Sequence, residues 1–79
     1  MKDILETIIL HLVENKEAVN ITEVNKSEKD ITFKVRVAKE DMGRVIGKQG
    51  KIARSIRTVM KSVAAKDRAK VDVEFVDVD

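Results

Sequence analysis

The stretch Arg44-Val45-Ile46-Gly47-Lys48-Gln49-Gly50-Lys51-Ile52 decides how this chain is read. Two glycines separated by two polar residues permit a turn too tight for side chains, with backbone close enough to a ligand to touch it. The residues that follow open a helix. Its unpaired backbone N–H groups and positive dipole end therefore face the turn and make a seat for an anion. Lys48 and Lys51 add mobile positive charge beside that seat.

Working outward, Lys51 to Ala65 reads as a helix, because Ile52, Ile56, Val59, Met60 and Val63 share a narrow arc while Arg54, Arg57 and Lys61 take the opposite side. On the other flank, Glu40 to Ile46 reads as a short helix, with Glu40-Asp41 favouring its N-terminus electrostatically. Ile31, Phe33, Val35 and Val37 alternate with Thr32, Lys34 and Arg36, the clearest strand in the chain. Ala18 to Asn25 is a second β-branched run, in which Val24 breaks the alternation and suggests a bulge or a strand end; Lys26 to Asp30 joins the two as a hairpin loop. Val71, Val73 and Phe75 alternate with Asp72 and Glu74 in a last strand. Asp3 to Asn15 completes the set as a helix, with Asp3 and Glu6 at capping-box spacing and Ile4, Leu5, Ile8, Ile9 and Leu12 as its stripe. The order is α-β-β-α-α-β, an α+β fold in which a three-stranded sheet is covered on one face by three helices.

Charge sharpens the reading of the turn. Arg44, Lys48, Lys51, Arg54, Arg57 and Lys61 fall between positions 44 and 61 with no acid among them, whereas the rest of the chain carries ten cations and fourteen acids. Such segregation favours a polyanion docking at one place. With 79 residues and no cysteine, the chain has room for one core held by aliphatic packing, without disulfides or cysteine-based metal sites. No apolar run approaches the ~20 residues of a membrane span, and the N-terminus lacks a signal-peptide apolar block. A cytoplasmic protein with no membrane partner is the expectation.

Val45-Ile46-Gly47-Lys48-Gln49-Gly50, between a short helix and a longer one, resembles the GXXG signature of KH domains, and the element order is similar to their type II, largely prokaryotic, version. The wider run from Glu40 to Gly50 resembles the small bacterial single-KH family known as KhpA-like. The resemblance covers essentially the whole chain. It implies one KH domain over residues 1–79 and a non-enzymatic protein whose loop clamps about four nucleotides of single-stranded RNA. It further implies that Gly47, Lys48, Gln49 and Gly50 hold the RNA backbone, while Ile46 and the first turn after the loop, with Lys51 and Ile52, border the base floor. Ala53 departs from the bulky aliphatic that many KH domains carry three residues after the second glycine. Around this set, Arg44 and Arg54 supply charge, and Arg36 lies on the polar face of a strand expected to border the groove. The family also implies a homodimer, or a heterodimer with a larger KH-containing protein, with the last long helix, including Met60 and the small residues Ala53 and Ala64, at the interface. RNA chaperone and post-transcriptional regulator are the roles that follow. A protein-interaction adaptor working mainly by dimerisation is the rival.

Other chemistries fit less well. Gly43-Arg44-Val45-Ile46-Gly47-Lys48 fails as a nucleotide-hydrolase phosphate loop: it is one residue short, has Gln49 where a magnesium-binding hydroxyl belongs, and follows a helix instead of a strand. His11 has no second ligand or nucleophile beside it. The acids Asp72, Glu74, Asp77 and Asp79 follow from strand alternation and a chain end better than from a metal site. No cofactor, small-molecule substrate or catalytic group is expected. With only Phe33 and Phe75 as aromatics, both on strand faces expected to be buried, binding by extensive base stacking is not expected either.

Overall fold

Alternation sends Ile31, Phe33 and Val35 to one side of a strand and Thr32, Lys34 and Arg36 to the other. In the computed structural model, which describes residues 1–76, this strand, β2 (Asp30–Arg36), is the centre of a three-stranded sheet. It runs antiparallel to β1 (Asn20–Ser27) and parallel to β3 (Lys70–Phe75). Three helices, α1 (Lys2–Leu12), α2 (Met42–Ile46) and α3 (Lys51–Ala65), pack on the face that carries Phe33, Val35 and Val73. Short 3₁₀ turns at Lys16–Ala18, Lys39–Asp41 and Lys48–Gly50 link them. Leu5, Ile9, Phe33, Val45, Met60 and Val73 are fully buried, so every helix and the sheet contribute to one core. Among the described residues no helix is long and apolar enough to cross a membrane. Asp77 and Asp79 lie outside the described residues.

The element order and layering are those the sequence suggested, with local departures. Asp3 does not cap α1. Met1 holds the N-cap position, and the Asp3 carbonyl accepts a hydrogen bond from Thr7 Oγ1 at 2.9 Å inside the first turn. The helix ends at Leu12, and Ile4 is 41% exposed although it belongs to the apolar stripe. On α3 the buried arc runs through Ala53, Ile56, Met60 and Ala64, because alanines let the helix approach the sheet closely. Ala53, Met60 and Ala64 are therefore core and not available to a partner. Val59 is 44% exposed instead. Val24 stays in register opposite Thr32, and the irregularity falls between Asn25 and Ser27. Phe75 is only partly buried.

Asp41 does what its position at a helix start concealed. Its side chain is buried, and its carboxylate accepts the backbone N–H of Glu14 at 3.1 Å and of Asn15 at 2.9 Å, in the segment that leaves α1. It offers no side-chain cap to α2. Arg44 joins the cluster, its Nε 3.2 Å from Asp41 and its Nη2 2.9 Å from Glu14. The end of α1 is thereby fastened to the start of α2. The Asn15 N–H holds the Asp41 carboxyl below its usual value of 3.8; desolvation opposes it, and the Glu14 N–H, Arg44 and Lys16 reinforce it.

A carboxyl with a lowered folded-state value adds stability above its unfolded-state value and loses it as the pH falls through the folded one. Thermal melts should therefore show wild type losing stability below about pH 4 more steeply than Asp41→Asn. The variant should be the less stable at neutral pH, because its amide nitrogen cannot accept the second N–H. Parallel pH profiles for the two proteins would remove Asp41 as the clamp.

Candidate nucleic-acid interface

The chain reverses between α2 and α3 within four residues. Gly47 closes α2 by donating its N–H to the Gly43 carbonyl at 2.9 Å, then adopts φ 75, ψ 174. That region is essentially reserved to glycine. Gln49 (φ 58, ψ 25) and Gly50 (φ 73, ψ 15) are left-handed, and the Gly50 N–H returns to the Gly47 carbonyl at 3.2 Å. A second constraint acts at Gly47 alone: a Cβ there would lie 2.6 Å from Ile52 Cγ1 and 2.9 Å from Ile52 Cβ. At Gly50 a Cβ would meet nothing within 4 Å. Gly47 is thus fixed by conformation and by contact, Gly50 by conformation only.

Gly50 is the N-cap of α3 and provides no side-chain cap; the Lys51 N–H donates to the Lys48 carbonyl, and the rest of the first turn of this fifteen-residue helix begins beside an exposed Lys48 and Gln49. Such a helix start attracts phosphate or carboxylate. Lys51 is exposed at the same end, while Ile46 and Ile52 are half-buried against the core and border the loop with apolar surface.

From the loop, Arg54, Arg57 and Lys61 descend one flank of α3 toward β3. Lys70 and Val76 donate their N–H groups toward β2, so the alternate residues Val71, Val73 and Phe75 turn their backbone groups to the sheet's free edge. Arg57 meets that edge. Its Nε donates to the Val73 carbonyl at 2.9 Å, and its guanidinium carbon lies 5.8 Å from the centre of the Phe75 ring. The Val73 N–H is taken by Asp72 Oδ1 at 2.9 Å. A seam between α3 and β3 therefore runs away from the loop, lined by cations along its helical wall.

Of the residues singled out in the sequence, the fold brings together Ile46, Gly47, Lys48, Gln49, Gly50, Lys51, Ile52 and Arg54. Arg44 lies beside them, but its guanidinium is held by Asp41 and Glu14. Arg36 does not border the seam. Both edges of β2 are occupied by neighbouring strands, and Arg36 faces the open side of the sheet with Asn20, Thr22, Lys34 and Glu74. His11 is exposed, its Nδ1 2.8 Å from the Thr7 carbonyl oxygen. Among the described residues no group of three or more metal-ligating side chains is assembled. Sequence reasoning missed two positions. Arg57 is placed by the apolar repeat on the side opposite the core, although it borders the buried arc of its helix and bonds the sheet edge. Asp41 was taken for a helix-start charge, although the Asp41/Arg44 spacing of three on a helix start was a signal of pairing.

A second apolar feature lies behind the loop. Ile8 and Leu12 of α1 and Ile52, Ile56 and Val59 of α3 line a groove of 390 Å³ that Lys51 and Ser55 close at one side. Ile52 belongs to both places.

Gly50→Ala should cost about 1–2 kcal/mol, the usual penalty for a side chain in the left-handed region. Gly47→Ala should cost distinctly more, because Ile52 must also move. Denaturant unfolding of the two variants and of Gly47→Ala/Ile52→Ala tests this. Part of the Gly47→Ala loss should be relieved in the double variant, and strict additivity would refute the contact.

The KhpA/KhpB KH-domain family model matches residues 2–75. The protein from Clostridium acetobutylicum described as RNA-binding protein KhpA is 49% identical over 76 residues, covering 96% of this chain and all of that protein. Proteins of the same description from Clostridium perfringens and Listeria monocytogenes are 47% and 42% identical, covering 96% and 98% of this chain and all of each relative. No solved structure matches significantly. The chain is a member of the KhpA/KhpB KH-domain family.

Proposed function

We propose that this protein binds short single-stranded RNA without catalysing a reaction on it, seating the RNA backbone on the Gly47-Lys48-Gln49-Gly50 loop at the start of α3. One observation carries the proposal. The loop sets a helix N-terminus without a side-chain cap beside Lys48 and Lys51, at the head of a seam whose helical wall holds Arg54, Arg57 and Lys61. Ile46 and Ile52 offer bases an apolar border. Base-stacking surface is limited to Phe75, so binding at the loop is modest in affinity and tolerant of sequence, which suits an RNA chaperone or post-transcriptional regulator in the cytoplasm.

The same protein works as a dimer. Exposed Val59 lines the α1–α3 groove and exposed Ile4 lies one turn before Ile8 beside it, and a second KH-containing chain would cover them. The adaptor reading shares this surface and differs only in dispensing with RNA.

Replacing Lys48 and Gln49 with aspartate should abolish RNA binding, measured by fluorescence anisotropy, while circular dichroism and dimerisation remain as in wild type. Retained affinity would contradict the loop's role, and a wild type that binds no RNA at moderate salt would favour the adaptor. Two or three neutralised phosphates should give a slope of log affinity against log salt of about −1.4 to −2.1, from ~0.7 per phosphate on single strands. Val59→Asp should shift sedimentation from dimer to monomer with helicity unchanged. An unaltered dimer would move the interface elsewhere.

A further inference from the structure

The seam between α3 and β3 does not stop at Arg57. One helical turn further on, Lys61 overhangs a cavity of 490 Å³ whose other lining residues are Asp30, Ala69, Lys70, Val71 and Asp72. Its volume lies within the roughly 300–1,000 Å³ typical of small-ligand sites. Its chemistry is mixed in a particular way. Ala69 and Val71 give an apolar floor, Lys61 and Lys70 are exposed cations at the rim, and two carboxylates stand among them. One oxygen of Asp72 already accepts the Val73 N–H. Asp30 forms no ion pair among the described residues.

We infer that this cavity is a nucleobase subsite at the far end of the RNA track, preferring guanine, with Lys61 and Lys70 on the adjoining phosphate and Asp30 on the base. This inference rests on the proposed seating of RNA at the loop. Eleven residue steps along the helix lead from Gly50 to Lys61, about 16 Å at ~1.5 Å per step. An RNA strand covers that span in at most about five nucleotides at ~3.4 Å per stacked step. Along the way it passes Arg54 and Arg57, so the phosphates remain compensated from loop to cavity. A carboxylate only accepts hydrogen bonds, and its two oxygens match the adjacent imino and amino donors on the Watson–Crick edge of guanine. Adenine and cytosine present one amino donor there, and uracil a single imino donor between two carbonyls. The loop reads backbone and this cavity reads a base, which gives the protein a preference that the loop alone cannot supply.

The test uses the full chain with a uridine tetramer, a uridine octamer, and octamers carrying one guanine at each position in turn. Wild type should bind one of the guanine-substituted octamers about 5- to 10-fold more tightly than the plain octamer, the worth of one or two added hydrogen bonds. Asp30→Asn should erase that preference without weakening the plain octamer. Lys61→Ala/Lys70→Ala should weaken the octamer several-fold and flatten its salt slope by about 0.7 per lost phosphate, leaving the tetramer unaffected. Circular dichroism checks that both variants fold. If no guanine position is favoured, or if both variants match wild type on every octamer, the subsite is wrong even though the loop reading stands. If the Lys48→Asp/Gln49→Asp protein still binds the tetramer, the loop reading itself fails. Guanosine monophosphate separates the remaining source of the same chemistry. It should not displace the octamer, and displacement with protection by Asp30→Asn would make a free nucleotide the ligand and overturn the RNA subsite.

Discussion

Ile52 packs against Gly47 so closely that no side chain fits between them, and the rest of the site follows from that contact. It brings the first turn of α3 directly under the end of α2, which forces the connecting residues into conformations that favour glycine at both ends. The two polar residues between them are left with nowhere to point but outward. Because α3 begins immediately at Lys51, whose N–H is held by the Lys48 carbonyl, its N-terminal turn opens beside the exposed Lys48 and Gln49. The anion seat proposed for this place would then be a property of backbone geometry, amplified by the lysines. A looser connection would keep the charges and lose the aim.

The buried Asp41 complements this contact from the other side. By accepting two N–H groups from the residues after α1 and holding Arg44, it fixes α2 against α1 at one end, while Ile52 fixes α2 against α3 at the other. The short helix is held at both termini, as it must be, since five residues have little intrinsic helical stability. Arg57 performs a comparable service at the sheet, occupying a backbone carbonyl on the free edge that would otherwise invite another strand. Cations around the site thus divide into Arg44, whose charge is paired within the fold, Lys48, Lys51, Arg54 and Lys61, which are left to act outward, and Arg57, which bonds a neutral carbonyl and keeps its charge on the seam. Segregating positive charge in one stretch of sequence serves both ends.

Periodicity made the layers legible: Phe33 and Val35 against Lys34 and Arg36 announced a half-buried strand, and α3 runs over the residues its apolar repeat marked. The loop was legible too, because glycine spacing is a direct statement about backbone. What escaped was tertiary. Nothing in the sequence says that β2 is the central strand, and so Arg36 seemed able to border a groove that β3 borders instead. Small residues misled for a physical reason: Ala53 and Ala64 looked free for a partner because their size hides their burial, whereas they are what lets α3 lie close to the sheet. Asp41 and Arg57 look like ordinary surface charges until the segments they bind, 26 and 16 residues away, are placed beside them.

These constraints converge on one claim, that RNA backbone is received by the amide groups at the head of α3. Titrating the protein with a short single-stranded oligoribonucleotide while following its backbone amide resonances tests that claim most directly. The largest shifts are expected at Lys48 to Ile52, weaker ones along Arg54, Arg57 and Val73, and none at Thr22 or Lys34 on the open face of the sheet. Shifts confined to the open face, with the loop amides unmoved at saturation, would contradict it.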